Sequence, residues 1–420
     1  MKKIHVYTSA ACNYIPKVRV LVESVRKFHP EWVVHLALSD EIPEGMDLSD
    51  EPFDEIHPLA SLNVPDYVGW AFCHTIVELS TAIKPFVLAR LLERSDCGGV
   101  VYLDPDTVVF SPLTEVVDVF SHSNIGLTPH QIMPETSLAA IMDNEIASLK
   151  HGTYNLGFIA VAPTDVGKAF AKWWSERIYH FCRAEIHNGL FTDQRWIDLV
   201  PAFFDGVFIL RNARFNVAPW NVTTRDITGT LPGPIFVDGQ PLGFYHFTGF
   251  DSGAHVTMAW KNAASQPAVH DLIEWYTAKI ADFGRDPLSA VPWAYGRFSD
   301  GSPIAKAARL VYRERTDLQN VYPDPFDARQ GGYKGWWEQQ GRLEYPRLFD
   351  NATVADEIYR LTKVLSPGFQ AGQNPVNIIS LRSHLARAIH SPNHGVHLVK
   401  RTWEVLRSEG FRGVVDRIRN

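Results

Sequence analysis

The chain has 420 residues, of which 45% are apolar and 21% charged, and its formal net charge is −7 at pH 7. This composition is typical of a globular protein and gives no sign of a nucleic-acid binder, which would carry excess positive charge. Its four cysteines lie far apart without CxxC spacing, which argues against zinc sites or a disulfide framework and for a reducing compartment. No apolar run reaches membrane-spanning length and no signal-peptide core is evident, so we expect a cytoplasmic protein.

The chain opens with a strand, a helix and a second strand. Residues 4–8 and 33–38 are short apolar runs, and residues 18–28 carry apolar side chains at helical spacing. This order is the start of a βαβ unit and predicts an α/β fold with a mainly parallel sheet flanked by helices. The loop after the first strand, with Asn13 and Tyr14, should lie where the strands of such sheets end and ligands bind.

A break in a helical pattern marks the next segment of interest. Residues 40–66 are rich in Pro, Glu and Asp and are predicted to be irregular, whereas residues 75–94 have an amphipathic helical pattern that Pro85 interrupts. Proline at such a place kinks a helix or begins a new one. Lys84, at the break, is either a solvent-facing helix residue or an anion-binding group beside a helix N-terminus.

Two acids one residue apart, Asp104 and Asp106, follow the apolar run of residues 100–103. The run predicts a buried strand, and in extended chain residues two apart share a face. Both carboxylates can therefore reach one divalent cation, and Pro105 between them stiffens the link. The alternative is a pair of solvated loop acids, but the apolar runs on both sides favour a metal site.

The middle of the chain continues the alternation of strands and helices. Strands are predicted at residues 124–128, 154–161, 207–210 and 243–249, helices at 112–120 and 166–181, and a loop with one helix at 129–150. Asp193 would complement the N-terminus of a short helix, although a site role stays open. His246 lies in an apolar strand, where a histidine is more often a buried structural residue than a ligand.

Beyond residue 261 the alternation stops and helices are predicted at 267–283, 303–315 and 353–365. We therefore expect a catalytic domain at residues 1–265 and a mainly helical region at residues 266–420. Residues 381–420 contain eight Lys or Arg and three Asp or Glu, a net charge of +5. Residues 399–418 combine this charge with an apolar face, which indicates either a helix at a membrane surface or one docked on the protein.

Together these signals resemble the family 8 glycosyltransferases and their bacterial relatives, which have the GT-A fold. The resemblance covers roughly residues 1–260, and its motifs follow the family's order. They are Asn13-Tyr14, Lys84, Tyr102-Leu103-Asp104-Pro105-Asp106, Asn155-Leu156-Gly157, Asp193-Gln194, and His246 to Gly249.

The resemblance implies a retaining, metal-dependent transfer from a nucleotide-diphosphate sugar, with a UDP-sugar expected, to a glycan or glycolipid acceptor. Mn²⁺ (or Mg²⁺) would be held by Asp104, Asp106 and His246, and Asp193, Gln194 and Lys84 would act at the reacting centre. The implied donor-binding residues are Thr8, Asn13, Tyr14, Lys84, Asp104, Asn155, Gly157 and Gly249. Synthesis of bacterial surface polysaccharide at the cytoplasmic face of the membrane would suit such an enzyme.

Two departures from the family and two rival functions accompany this hypothesis. Residues 9–12 lack the acids that often contact uracil, and residues 250–253 replace a Lys-Pro-Trp segment. The Asp-x-Asp-x-Thr pattern also fits a phosphatase of the haloacid dehalogenase type, although the chain has no Asp-Asp or Gly-Asp pair downstream. A sugar-binding module without catalysis is the second rival.

Overall fold

The computed structural model describes residues 2–363 and Arg407. The strands are β1 (Lys3–Ala10), β2 (Val33–Leu38), β3 (Glu55–Pro58), β4 (Cys97–Leu103), β5 (Thr107–Val109), β6 (Ile125–Pro129), β7 (Tyr154–Val161), β8 (Val207–Ile209), β9 (Ile227–Gly229), β10 (Ile235–Val237), β11 (Gln240–Pro241) and β12 (Phe244–His246).

The helices are α1 (Ile15–Phe28), α2 (Tyr67–Phe72), α3 (Ile76–Ala82), α4 (Lys84–Leu92), α5 (Thr114–His122), α6 (Leu138–Ala140), α7 (Ile146–His151), α8 (Asp165–Phe181), α9 (Gln194–Ile197), α10 (Val200–Phe203), α11 (Ala254–Asn262), α12 (Pro267–Phe283), α13 (Lys306–Glu314), α14 (Thr316–Val321), α15 (Tyr333–Trp336), α16 (Arg342–Glu344) and α17 (Val354–Lys363). A π-helical turn, Ile141–Glu145, joins α6 to α7.

A seven-stranded sheet in the order β3-β2-β1-β4-β7-β6-β8 forms the centre of the fold. Strands β1 to β4 pair in parallel, β7 runs antiparallel to β4 and β6, and β8 is parallel to β6. Alternate residues of the strands pack against α3, α4 and α8 on one face and against α1 and α5 on the other. This confirms the predicted mixed, mainly parallel sheet flanked by helices.

Strand β3 was not predicted, since residues 40–66 were expected to be irregular. It pairs in parallel with β2 and is the edge strand of the sheet. Its four residues, Glu55–Pro58, end in a proline and contain only one aliphatic side chain. Pairing with β2, rather than a local pattern, accounts for the strand.

The chain leaves the large sheet at the predicted acid pair. After β4 ends at Leu103, the Thr107 N–H donates to the Asp104 carbonyl at 3.0 Å, which closes a turn around Pro105. Strand β5 then pairs with β12 instead of the large sheet, and His246 stands opposite Thr107. This small antiparallel ladder brings a residue more than 130 positions away in sequence next to the two acids.

Met1–Lys363 form one compact unit. The domain boundary expected between residues 265 and 266 stays a prediction, and in the described part after residue 265 the regular secondary structure is helical apart from an isolated bridge. Helices α13, α15 and α17 pack there around Phe72 of α2. The basic amphipathic segment predicted at residues 399–418 lies outside the described residues, apart from Arg407.

Among the residues that the structure describes, none of the helices is long and apolar enough to cross a membrane.

Candidate active site

A cleft of about 1100 Å³ opens where β1 and β4 end. Its walls contain most of the residues predicted for the site. These are Asn13, Tyr14, Lys84, Asp104, Asp106, Asn155, Asp193, Gln194, His246 and Gly249. Two predicted donor-binding residues do not line it: Thr8 is buried within β1 and Gly157 within β7.

Asp104, Asp106 and His246 converge on one point of the cleft. The His246 Nε2 atom lies 3.1 Å from Asp106 Oδ1 and 3.6 Å from Asp104 Oδ2, and one ligand atom from each residue lies within 4.8 Å of the others. Although burial disfavours charge on both partners, the attraction between them raises the pKa of His246 and lowers that of Asp106. When no cation is bound, this attraction favours a protonated imidazole beside ionised carboxylates.

The orientation of the His246 ring is set by Asn155. The Gly157 N–H donates to Asn155 Oδ1 at 3.1 Å, which fixes which end of the amide carries oxygen. That same oxygen lies 3.2 Å from His246 Nδ1, so Nδ1 must carry the hydrogen. Nε2, which faces both acids, is then free to bind a cation, and such an outer partner is usual for a metal-binding histidine.

These donor atoms fit a divalent cation of the Mn²⁺ type. Two carboxylate oxygens suit Mg²⁺ or Mn²⁺, while an imidazole nitrogen is more typical of the transition metals. The imidazole thus favours Mn²⁺ over Mg²⁺. The fit also explains why a buried histidine is held against two acids with its second nitrogen already committed to a neighbour.

Gly157 does not line the cleft, but it leaves space for the ring of His246. A Cβ added at Gly157 would lie 2.5 Å from His246 Cε1 and 2.6 Å from His246 Nδ1. The strand can pass the imidazole at this distance only because residue 157 has no side chain.

We therefore expect Gly157→Ala to displace His246 and to weaken Mn²⁺ binding about 10- to 100-fold, the usual cost of disturbing a ligand's support. Titration calorimetry with Mn²⁺ measures this effect. Gly335→Ala is the matched control, because nothing lies within 4 Å of the added methyl group there. Equal Mn²⁺ affinity in Gly157→Ala and the wild type would show that His246 is not a ligand.

Lys84 is the first residue of α4, as the interrupted pattern predicted, and it is buried rather than solvent-facing. Its ammonium lies 3.1 Å from Asp104 Oδ1 and 3.3 Å from Asp193 Oδ2, and it donates to the Leu156 carbonyl at 3.3 Å. Burial opposes its charge, but the two carboxylates outweigh burial and raise the pKa of Lys84. A positive charge therefore stands beside Asp104 and Asp193.

Asp193 does not complement a helix N-terminus through its side chain. It precedes α9 without making a side-chain capping bond, and its carboxylate is turned toward Lys84. Loss of hydration raises the pKa of Asp193 to about 6; Lys84 opposes this rise and Asp104 adds to it. Its Oδ2 atom forms an ion pair with the Lys84 ammonium at 3.3 Å, and its Oδ1 atom accepts from the Thr192 hydroxyl at 3.2 Å. Both oxygens thus have partners in the protein.

The side chain of Gln194 forms its hydrogen bonds with other residues of the protein. Its Oε1 accepts from the Leu156 N–H at 3.0 Å and from Asn155 Nδ2 at 3.3 Å, and its Nε2 donates to the His151 carbonyl at 2.9 Å. Through Asn155 it supports the amide that orients His246. Its place in this structure is that of a positioning residue, whereas a direct role at the reacting centre stays a prediction.

Three of the predicted donor-binding residues, Asn13, Tyr14 and Gly249, line the cleft near its loops. Asn13 and Tyr14 form a short 3₁₀ turn after β1, and Asn13 Oδ1 has no hydrogen-bond partner among the described residues. The ammonium of Lys17 stands 4.7 Å from the centre of the Tyr14 ring. Gly249 occupies the turn after β12 with φ of +69°, a conformation that glycine adopts readily. Their roles toward a donor stay predictions.

Three residues at the site were not predicted. The Tyr102 hydroxyl donates to Asp104 Oδ1 at 2.5 Å, and its ring lies 4.3 Å below the Lys84 ammonium. Its position two residues before Asp104, on the same face of the strand, was an available signal. His130 accepts from Asn155 Nδ2 at 3.2 Å, and Trp220 packs edge-on against His246. Neither has a sequence pattern that marks it.

Comparison with known proteins identifies distant relatives. No family model matches the chain. The uncharacterized protein YfnD of Bacillus subtilis (strain 168) is 22% identical over 257 residues, which are 60% of this chain and 79% of YfnD. YfnF of the same bacterium, also described as uncharacterized, is 26% identical over 176 residues, 41% of this chain. The match spans 57% of YfnF.

Solved structures similar to this chain include glycosyltransferases. The galactosyltransferase LgtC, in complex with donor and acceptor sugar analogs, is 19% identical with a TM-score of 0.41, over 68% of this chain and 97% of LgtC. The glycosyltransferase GlyE of Streptococcus pneumoniae TIGR4 is 14% identical with a TM-score of 0.38, over 67% and 64% of the two chains. At these scores the likeness is distant, and the function proposed below rests on the site itself.

Proposed function

We propose that this protein is a metal-dependent, retaining glycosyltransferase of the GT-A type that uses a nucleotide-diphosphate sugar. The observation that carries the proposal is the convergence of Asp104, Asp106 and His246 beside the buried ammonium of Lys84 in a large cleft. This combination of two acids, an imidazole and a fixed positive charge suits the binding of a diphosphate through a divalent cation. The sequence resemblance to family 8 supports the same function.

Sugar transfer requires a diphosphate to leave with growing negative charge and a sugar carbon to become oxocarbenium-like. The cation, when bound, supplies Lewis-acid neutralisation of the diphosphate. Lys84 adds a second positive charge that the fold holds in place. Asp193, 3.3 Å from the Lys84 ammonium, offers a carboxylate oxygen for the sugar. It stabilises the developing cation, acts as a transient nucleophile or binds donor hydroxyls, and retention of configuration is compatible with each role.

One helical segment at the cleft has features that suit a glycan or glycolipid acceptor. The helical segment 138–151 turns Asn144 and Ser148 toward the cleft. Its other side exposes Leu138 and Leu149, whose accessible fractions are 74% and 72%. A segment that is polar toward the reaction and apolar toward solvent suits an acceptor with both a sugar and a lipid part.

The phosphatase alternative is less well supported by the site. A haloacid dehalogenase would need further acids beside Asp104 and Asp106 to hold Mg²⁺. Within the described part of the chain, the third group at ligand distance is the imidazole of His246. The nearby acid Asp193 is instead paired with Lys84.

A screen of nucleotide sugars for Mn²⁺-dependent hydrolysis tests the proposal. We expect release of a nucleoside diphosphate from one donor class, stopped by excess chelator, and calorimetric binding of that nucleotide only when Mn²⁺ is present. Binding of free sugars without nucleotide would indicate the sugar-binding module instead. Hydrolysis of simple phosphate esters without sugar transfer would indicate the phosphatase.

A further inference from the structure

A second cluster of histidines lies in the large sheet, apart from the cleft. His5, His35 and His57 belong to β1, β2 and β3, and all three are buried. His35 interrupts an otherwise apolar strand, and all three histidines share the face of the sheet that α4 and α8 cover. His5 and His35 lie in the first halves of their strands, whereas the cleft opens where β1 ends. The proposed glycosyltransferase reaction makes no use of them.

The three imidazoles form a chain that ends at a carboxylate. His5 Nδ1 lies 2.9 Å from His35 Nε2, and His35 Nδ1 lies 3.1 Å from His57 Nε2. The Glu55 Oε2 atom is 3.7 Å from His35 Nδ1 and 3.8 Å from His57 Nε2. Three ligand-type atoms from neighbouring strands therefore face one another: two imidazole nitrogens and one carboxylate oxygen.

We propose that His35, Glu55 and His57 bind a zinc-type divalent cation. A tetrahedral ion with bonds of about 2.0–2.1 Å keeps its ligand atoms roughly 3.3 Å apart. The three ligand atoms lie 3.1, 3.7 and 3.8 Å from one another, which is close to this value. Small side-chain shifts would therefore place them at three corners of a tetrahedron around the ion. Two histidines and a glutamate form a known zinc ligand set that leaves the fourth position to water. Such a site needs no thiol, so the cysteine spacing does not bear on it.

His5 and Asp96 supply the outer support that such a site requires. If His35 binds the ion through Nδ1, its Nε2–H donates to His5 Nδ1. His5 must then carry its own hydrogen on Nε2, which lies 3.5 Å from Asp96 Oδ1 and makes no hydrogen bond to the described residues. A ligand histidine backed by a second polar group is the usual arrangement at zinc centres.

Two arginines near the cluster oppose a cation: the charge of Arg90 acts on His57, and Arg94 is bonded directly to Glu55. The Arg94 Nη1 atom donates to both Glu55 oxygens, at 2.9 and 3.0 Å, so the carboxylate is already partly neutralised. Arg94 also fixes the position of Glu55, which is 38% exposed and gives an ion access from solvent. We expect a site of moderate affinity that ties the edge strand β3 to β2.

The test uses Zn²⁺ alone and the full chain. Proteins are dialysed first against Zn²⁺ and then against metal-free buffer, and bound zinc is measured by mass spectrometry. Because the cation site proposed at Asp104, Asp106 and His246 would also take up zinc, all variants carry Asp106→Ala, so that zinc remaining in the cleft is the same in each of them. We expect Asp106→Ala to retain one zinc and Asp106→Ala/Glu55→Gln to lose it. The affinity should fall by more than about 100-fold, since even an outer partner is worth about 10- to 100-fold.

A second measurement separates binding from folding. Zn²⁺ should raise the Tm of Asp106→Ala but not that of the Glu55→Gln double variant, while both have similar Tm values without zinc. His180→Gln, at an exposed helix position, is the histidine control and should leave the zinc content unchanged. Equal zinc in the Glu55→Gln variant, or no zinc in Asp106→Ala, would overturn the proposal and leave the cluster a chain of hydrogen-bonded imidazoles. Neither outcome would affect the proposed transferase.

Discussion

Asp106→Ala should lower Mn²⁺-dependent turnover of the donor by about 10³-fold or more. The variant removes one of three ligand atoms and the charge that balances His246, so the cation is bound weakly and out of place. Removing a charged group that the fold holds against a reacting diphosphate usually lowers turnover by this order of magnitude. The measurement is the initial rate of nucleoside diphosphate release at saturating donor across a range of Mn²⁺ concentrations.

The control for this variant is Asp118→Ala, which removes an exposed carboxylate from α5 and should leave the rate unchanged. Excess Mn²⁺ should restore part of the activity of Asp106→Ala, because Asp104 and His246 still offer two ligands. Full activity of Asp106→Ala, or full wild-type activity in excess chelator, would disprove the metal-dependent mechanism.

Asp193→Asn should lower turnover by roughly 100-fold or more while making the folded protein more stable at pH 7. The amide keeps the shape of the carboxylate but removes the negative charge offered to the sugar, and such charges are commonly worth this factor. The gain in stability follows from the pKa. Folded Asp193 keeps its proton up to about pH 6, whereas the usual value is 3.8.

The folded state therefore binds a proton more tightly than the unfolded chain between about pH 4 and pH 6, and ionisation of Asp193 makes folding less favourable as the pH rises through this range. A pKa raised from 3.8 to about 6 corresponds to about 3 kcal/mol. The buried amide of the variant also loses its hydration, which offsets part of this, so a gain of about 1 kcal/mol is expected at pH 7.

Urea unfolding of the wild type and Asp193→Asn at pH 4 and pH 7 measures the difference, which should be clear at pH 7 and small at pH 4. Asp205→Asn, an exposed position, is the control and should change neither stability nor turnover. If the variant is less stable at pH 7, the Asp193 charge does not destabilise the folded protein. If it keeps wild-type turnover, the charge does not contribute to the reaction.

The parts of the fold that local pattern determines were predictable. Strand β2 at Val33–Leu38, strand β7 at Tyr154–Val161 and helix α12 at Pro267–Phe283 have the predicted bounds, because apolar periodicity and prolines mark them. Helix α4 begins at Lys84 because Pro85 suits the first turn of a helix but not its interior.

Structural features that depend on pairing between distant strands were not predictable from the residues alone. The resemblance, not periodicity, brought His246 to the acid pair, and the structure places it there through the β5 and β12 ladder. The contribution of Gly157 follows from a close approach between two strands that no single segment encodes. The histidine cluster depends on the pairing of β3, whose four residues carry no apolar alternation.

The arrangement of charges in the cleft also determines the sequence in which ligands enter. Asp104, Asp106 and Asp193 present three carboxylates, which contact the ammonium of Lys84 and the imidazole of His246. With His246 protonated, these five groups sum to −1, and a divalent cation that replaces the proton of His246 brings the sum to 0. The cation thus removes the repulsion that an approaching diphosphate would meet, and for the proposed enzyme we expect the cation to bind before the donor.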